Sequence, residues 1–230
     1  MVGNFLLERK EELSKKYGID FDKLEKEQIK LSKGLKIKDS IDFSKIEKIG
    51  AFENLFIKNK IISCFIIMDK DYEITEQSYV IDRIPFPYFP GFRSYREIHA
   101  MIKALEKSKE KPDIIFLSGQ GIIHPRLGLA SHFSLSTGIP TIGVSNFITE
   151  CEYKDEDNSE IKKGNKIVGR VLISKEESNP LYISPGNFIS VESSYNLSKK
   201  FIIPPHKRPE PIHIVSKYAK SVRKELMKGA

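Results

Sequence analysis

The stretch SYREIHAMIKALEKSKEKPDIIFLSGQG, residues 94–121, decides the fold. Its first half sets Ile98, Met101, Ile102 and Leu105 on one face at helical spacing, so Ser94 to Lys107 is predicted as a helix with Ser94 placed to cap it. The second half contains Asp113 to Leu117, wholly apolar after its first residue, which is the pattern of a strand buried on both faces. Downstream the order repeats, with a helix expected over Leu127 to Thr137 and a second buried strand over Pro140 to Ser145. Helix, strand, helix, strand implies parallel pairing with crossover helices.

Upstream lie three β-type runs, Ile49 to Phe56, Lys60 to Met68 and Glu73 to Ile84, separated by polar turns as in an antiparallel meander. Between them and the helix stands Ile84-Pro85-Phe86-Pro87-Tyr88-Phe89-Pro90-Gly91-Phe92, which cannot continue a central strand because proline lacks the ladder N–H. A stiff loop is expected there. Residues 1–34 read as helical, with Asp20 or Asp22 capping a segment that carries Phe21, Leu24 and Leu31, and Gly34 ending it. After an exposed connection at 151–163 come strands at Lys166 to Ser174 and Pro180 to Ile183, then a cation-rich tail from Lys199 to Lys228. The expected fold class is α/β: a mixed sheet, meander first and parallel strands after it, flanked by helices. Residues 1–45 are expected as a helical segment packed on a main domain of 46–230, together one compact domain.

A formal charge of +7 favours contact with a polyanion without identifying it. Two cysteines, Cys64 in an apolar run and Cys151 in an acidic one, make neither a disulfide framework nor a zinc-ligand spacing. The longest apolar stretch, Ile61 to Met68, is far below the roughly 18 to 20 residues that span a bilayer, and the first residues lack a signal-peptide layout. A cytoplasmic protein in a reducing compartment is expected.

The string Pro87-Tyr88-Phe89-Pro90-Gly91, followed by Arg96-Glu97, closely resembles the PYxPGxxxxRE signature of the endonuclease V family. Further matching segments follow in family order: Ser118-Gly119-Gln120-Gly121, His124-Pro125-Arg126, Gly128 to His132, Ile139 to Val144, Ser184-Pro185-Gly186, Val191-Glu192-Ser193 and Pro209-Glu210-Pro211. The resemblance runs from about residue 24 to about residue 225. It implies a ribonuclease H-like core, recognition of hypoxanthine (deaminated adenine) in DNA or RNA, and hydrolysis one phosphodiester to the 3′ side of that base. It also implies Mg²⁺ or Mn²⁺ held by clustered carboxylates, since such an ion polarises the phosphate and prepares a water nucleophile.

Of the family's catalytic positions, Glu97 matches directly. On the first core strand, Ile49-Gly50-Ala51-Phe52-Glu53-Asn54-Leu55-Phe56 admits two registers, one placing Glu53 at the family's Asp and the other Phe52; the first makes Glu53 and Glu97 the candidate catalytic and metal-binding pair. Ser118 stands where the family has its second Asp, and Ser216 falls near its C-terminal His or Asp, with His213 one helical turn earlier. The resemblance further assigns Tyr88, with Pro87 and Pro90, to a strand-separating wedge, and Gly91, Gly119, Gly121 and Gly128 to the backbone of a base pocket beside His124 and Arg126. Arg96 joins the nucleic-acid set, while Arg93 occupies a pocket position that is normally apolar. A plainer reading makes Ser94 to Glu97 a capping box, Tyr88 a packed loop aromatic and His124 with Arg126 a turn network. With carboxylates missing, the expected function is nucleic-acid binding with hydrolysis lost or strongly reduced. The alternatives are a working Mg²⁺-dependent endonuclease, and a subunit that binds a protein partner through residues 151–163 or the N-terminal helices.

Overall fold

The computed structural model describes residues 2–228. Its elements are α1 (Val2–Tyr17), α2 (Phe21–Ser32), β1 (Ile49–Ile57), β2 (Lys60–Met68), β3 (Ile74–Arg83), α3 (Arg93–Glu106), β4 (Ile114–Ser118), α4 (Leu129–Thr137), β5 (Thr141–Ser145), β6 (Glu160–Lys163), β7 (Lys166–Leu172), β8 (Leu181–Asn187), α5 (Val191–Lys200) and α6 (Glu210–Lys228). One sheet holds all eight strands in the order β3-β2-β1-β4-β5-β8-β7-β6. The meander β1 to β3 is antiparallel, and β4 pairs in parallel with β1 on one side and β5 on the other. From β5 outward the pairing turns antiparallel again. The mixed α/β sheet expected from the sequence is thus present.

Helices cover both faces. Ile212, Val215, Ala219 and Val222 of α6 pack with Tyr195 and Leu197 of α5 against Ala51, Ile62, Phe116 and Ile183. On the opposite face Met101 and Ala104 of α3, with Ala130 and Phe133 of α4, enclose Phe52, Phe65, Ile115 and Leu117. Such burial contributes about 1.5–3 kcal/mol for each large side chain. It also settles which way β1 faces: Phe52 stacks on Phe65 at a 4.5 Å centroid separation, and period-two alternation then sends Glu53 to the α6 side.

A third cluster ties the N-terminal helices to the proline-aromatic segment. Leu13 and Phe21 pack against Phe86, Phe89 and Phe92, and the Phe21 ring lies 4.7 to 5.8 Å from those three rings. The loop is stiff because its prolines fix φ and its three phenylalanines, Phe86, Phe89 and Phe92, are all anchored.

The helical reading of 1–34 holds as α1 and α2, and Asp20, one of the two caps expected, caps α2 by accepting from the Lys23 N–H. Three local expectations change. Ser94 does not cap α3: Phe92 is the cap residue, Ser94 Oγ sits 2.9 Å from His132 Nδ1, and the capping box is absent. Residues 151–163 are not all connection, since β6 forms a hairpin with β7. The strand expected to end at Ile183 continues as β8 to Asn187. Among the described residues no helix is long and apolar enough to cross a membrane.

The turn leaving β4 lies backbone against backbone on β8. The Gly121 N–H donates to Ser184 Oγ at 3.0 Å, and a Cβ at Gly121 would stand 2.1 Å from the Pro185 carbonyl oxygen. Gly121→Ala is therefore expected to lower unfolding stability by about 3 kcal/mol through overpacking against backbone that cannot yield, measurable by urea denaturation.

Candidate functional site

A cavity of about 580 Å³ opens at the carboxyl ends of β4 and β5, where adjacent parallel strands of an α/β sheet commonly leave a ligand crevice. Of the residues singled out in the sequence, Glu53, Tyr88, Pro90, Gly91, Ser118, Gly119, His124 and Arg126 line it. Pro87, Arg96, Glu97, Gly121, Gly128 and Ser216 do not. Tyr88 is 65% exposed while its neighbours Phe86 and Phe89 are buried, so the anchored loop holds a free aromatic ring at the cavity wall. A second exposed ring, Phe147 at 66%, stands on the same cavity. Its backbone is pinned, because its carbonyl accepts from Gln120 Nε2 at 3.1 Å and from Ser145 Oγ at 2.7 Å. Sequence reading missed Phe147, although an aromatic two residues beyond a buried parallel strand sits by construction at the crevice.

Arg93 also lines the cavity and forms an ion pair with Glu97, which is buried behind it. Arg93, in the first turn of α3, donates from Nε to Glu97 Oε1 at 2.5 Å and from Nη2 to Glu97 Oε2 at 3.0 Å. Its Nη1 donates to the Ser118 carbonyl oxygen at 2.7 Å, and Asn54 Nδ2 reaches Glu97 Oε2 at 2.7 Å. Glu97 is only 1% exposed, and protein donors engage both of its oxygens. Burial opposes the Arg93 charge, but the carboxylates of Glu97 and Glu53 outweigh it and hold the guanidinium above its ordinary value. Glu53 lies on the α6 side, where Ser216 Oγ donates to its Oε2 at 2.9 Å. The structure therefore joins Glu97 and the Ser118 carbonyl through one guanidinium that the sequence marked only as unusual, while Ser216 bonds Glu53.

The other cations of the set are tied to protein groups. Arg126 donates from Nε to Gln28 Oε1 at 2.7 Å, and its guanidinium lies 4.9 Å from the Phe92 ring centroid. Gln28, fully buried on α2, completes the clamp by donating to the Gly91 carbonyl at 2.9 Å. Gly91 has φ +81, in the left-handed region that favours glycine. Arg96 donates to the Phe86 carbonyl at 2.9 Å and covers the Phe56 ring at 4.5 Å. At Gly128 the missing side chain serves the protein itself, since a Cβ would lie 2.1 Å from the Gln120 carbonyl oxygen. His124 Nδ1 accepts from the Arg126 N–H at 3.1 Å. Arg208 lines the cavity from the loop before α6.

Residues 29–217 match the family model described as Endonuclease V. An endonuclease V of Thermosipho melanesiensis is 35% identical over 186 residues, covering 78% of this chain and 82% of that one. One from Dictyoglomus turgidum is 32% identical over 216 residues, covering 91% and 93%. Among solved structures, the Bacillus subtilis endonuclease V superposes with a TM-score of 0.83 at 23% identity, covering 92% of this chain and 95% of that one. The Ciona intestinalis endonuclease V, solved with a 23mer DNA containing an inosine followed by a ribo-adenosine, gives 0.81 at 21% identity, covering 91% and 98%.

Burial, and then the charges of Arg126 and Lys163, push His124 down to about 4 from an ordinary 6.5. The folded protein thus resists protonating a group that the unfolded chain protonates readily. Its contribution is complete above about pH 6.5 and is lost as pH falls towards 4, on the order of 2–3 kcal/mol. Urea denaturation at pH 7 and at pH 4.5 is expected to show a larger loss for the native chain than for His124→Asn.

Proposed function

Because this chain belongs to the endonuclease V family over residues 29–217, we propose that it binds inosine-containing DNA or RNA at the cavity between Tyr88 and Phe147, with phosphodiester hydrolysis lost or strongly reduced. The observation that carries this reading is the Arg93–Glu97 pair. A divalent ion bridging a phosphate needs several anionic oxygens converging on it. Here Glu97 spends both oxygens on Arg93 and Asn54, Ser118 offers a hydroxyl where a carboxylate is needed, and the Glu53 carboxylate is bonded by Ser216. The residues present do not fit the Mg²⁺ or Mn²⁺ that the family implies, because a guanidinium already neutralises the pocket. Admitting an ion would require displacing Arg93, whose half-exposed guanidinium makes two of the hydrogen bonds to the buried Glu97 carboxylate.

Binding has separate support. Tyr88 and Phe147 present two free rings, Gly119 and Gln120 give the floor close backbone approach and an amide, and the chain carries +7 overall. A base turned out of its stack recovers stacking energy on such rings, about 1–3 kcal/mol for each.

Fluorescence anisotropy with inosine-containing and adenine-containing single strands of DNA and RNA tests the reading. The inosine strands are expected to bind more tightly, with affinity falling as salt rises, and Tyr88→Ala is expected to weaken binding about tenfold. Incubation with Mg²⁺ or Mn²⁺ is expected to leave those strands intact under conditions where the Thermosipho relative cuts them. Cleavage abolished by Glu97→Gln would make this a working endonuclease. Absence of salt-dependent binding would remove nucleic acid from the reading and favour a protein partner.

A further inference from the structure

On the far side of Glu53 a second cavity, of about 530 Å³, is lined by Ser216, His206, His213, Arg208 and Lys220. One wall carries a cluster that the nucleic-acid reading does not use. Glu210 and His213 are three residues apart in the first turn of α6 and so share a face, and His206 comes to them from the preceding loop. One ligand atom from each of the three lies within 4.8 Å of the others. His206 Nδ1 and Glu210 Oε2 are 2.8 Å apart, and the two imidazole rings stack at 3.5 Å with 20° between their planes. His213 Nε2 is shielded from solvent and has no hydrogen-bond partner. A buried ring nitrogen left unpaired is costly, and it is the sort of group a bound ion satisfies.

We propose that His206, Glu210 and His213 bind one divalent transition-metal ion of the zinc class, with its fourth position open to the cavity shared with Glu53 and Ser216. Two imidazoles and a carboxylate suit zinc, cobalt or nickel, whereas magnesium prefers oxygen ligands alone. Tetrahedral coordination at 2.0–2.2 Å sets neighbouring ligand atoms about 3.4 Å apart. The ion therefore replaces the proton shared by His206 and Glu210, and their 2.8 Å contact opens by about half an ångström. Closing the 4.8 Å spread takes side-chain rotation that also unstacks the two imidazoles, so that their in-plane lone pairs converge on the ion. This site differs in ligands and in place from the carboxylate pocket, and it stands whether or not the chain binds nucleic acid.

The test is titration of the chelator-treated full chain with Co²⁺, whose visible ligand-field absorption reports coordination. One Co²⁺ per chain, displaced by Zn²⁺ and unaffected by Glu97→Gln, is the expected result. Removing one direct ligand, as in His206→Gln or His213→Ala, is expected to weaken binding by roughly 100-fold or more, exceeding the loss seen when only an outer partner is removed. Melting temperatures supply a second readout: Zn²⁺ is expected to raise that of the native chain and leave both histidine variants unmoved. Should His213→Ala fail to fold, His206→Gln in the loop carries the test alone. Absence of Co²⁺ binding at micromolar concentration, or binding that survives in His206→Gln, overturns the proposal.

Discussion

A carboxylate buried at the junction of a helix and a sheet must be neutralised, and in this protein the counter-charge is a side chain. Glu97 is 1% exposed, and Arg93, one turn earlier on α3, supplies two of its hydrogen bonds. The same guanidinium bonds the Ser118 carbonyl at the end of β4. One residue thereby fixes the start of α3 against the strand end that floors the cavity. With Ser118 neutral, the local charge reduces to Glu53 and Glu97 against Arg93, a set that needs less external cation than a cluster of three carboxylates.

Above that ion pair, the proline-aromatic loop divides its aromatic residues between two tasks. Phe86, Phe89 and Phe92 are spent on Phe21, and Tyr88 is left free. A ring held out by a pre-ordered loop loses little conformational entropy on meeting any binding partner. Helix α2 is part of this device, because Gln28 joins the Gly91 carbonyl to Arg126 and so holds the loop from beneath. Arg126 and Arg96 consequently act as internal ties, while Arg208 lines the cavity.

Glu53 and Arg208 line both cavities, so the two sites are neighbours across β1 and the loop before α6. Ser216 faces Glu53, whereas His213, one turn earlier on the same helix, turns to His206 and Glu210. A helical step of three residues separates the two environments.

The sequence by itself determined the mixed sheet, the order of its central elements and the stiff proline loop, because buried strands, amphipathic helices and proline leave local periodic signatures. Likewise, the family motifs located Glu97, Ser118 and Tyr88 from short contiguous strings. Only the tertiary structure decided that Phe52 packs inward so that Glu53 meets α6, that Ser94 bonds His132 instead of capping a helix, and that Arg93 pairs with Glu97. It also brought Phe147 to the cavity mouth, Gln28 beneath Gly91 and His206 beside His213. Each of these depends on which face of one element meets another, often across dozens of residues of chain, and pairing at such range leaves no pattern in the local order of side chains.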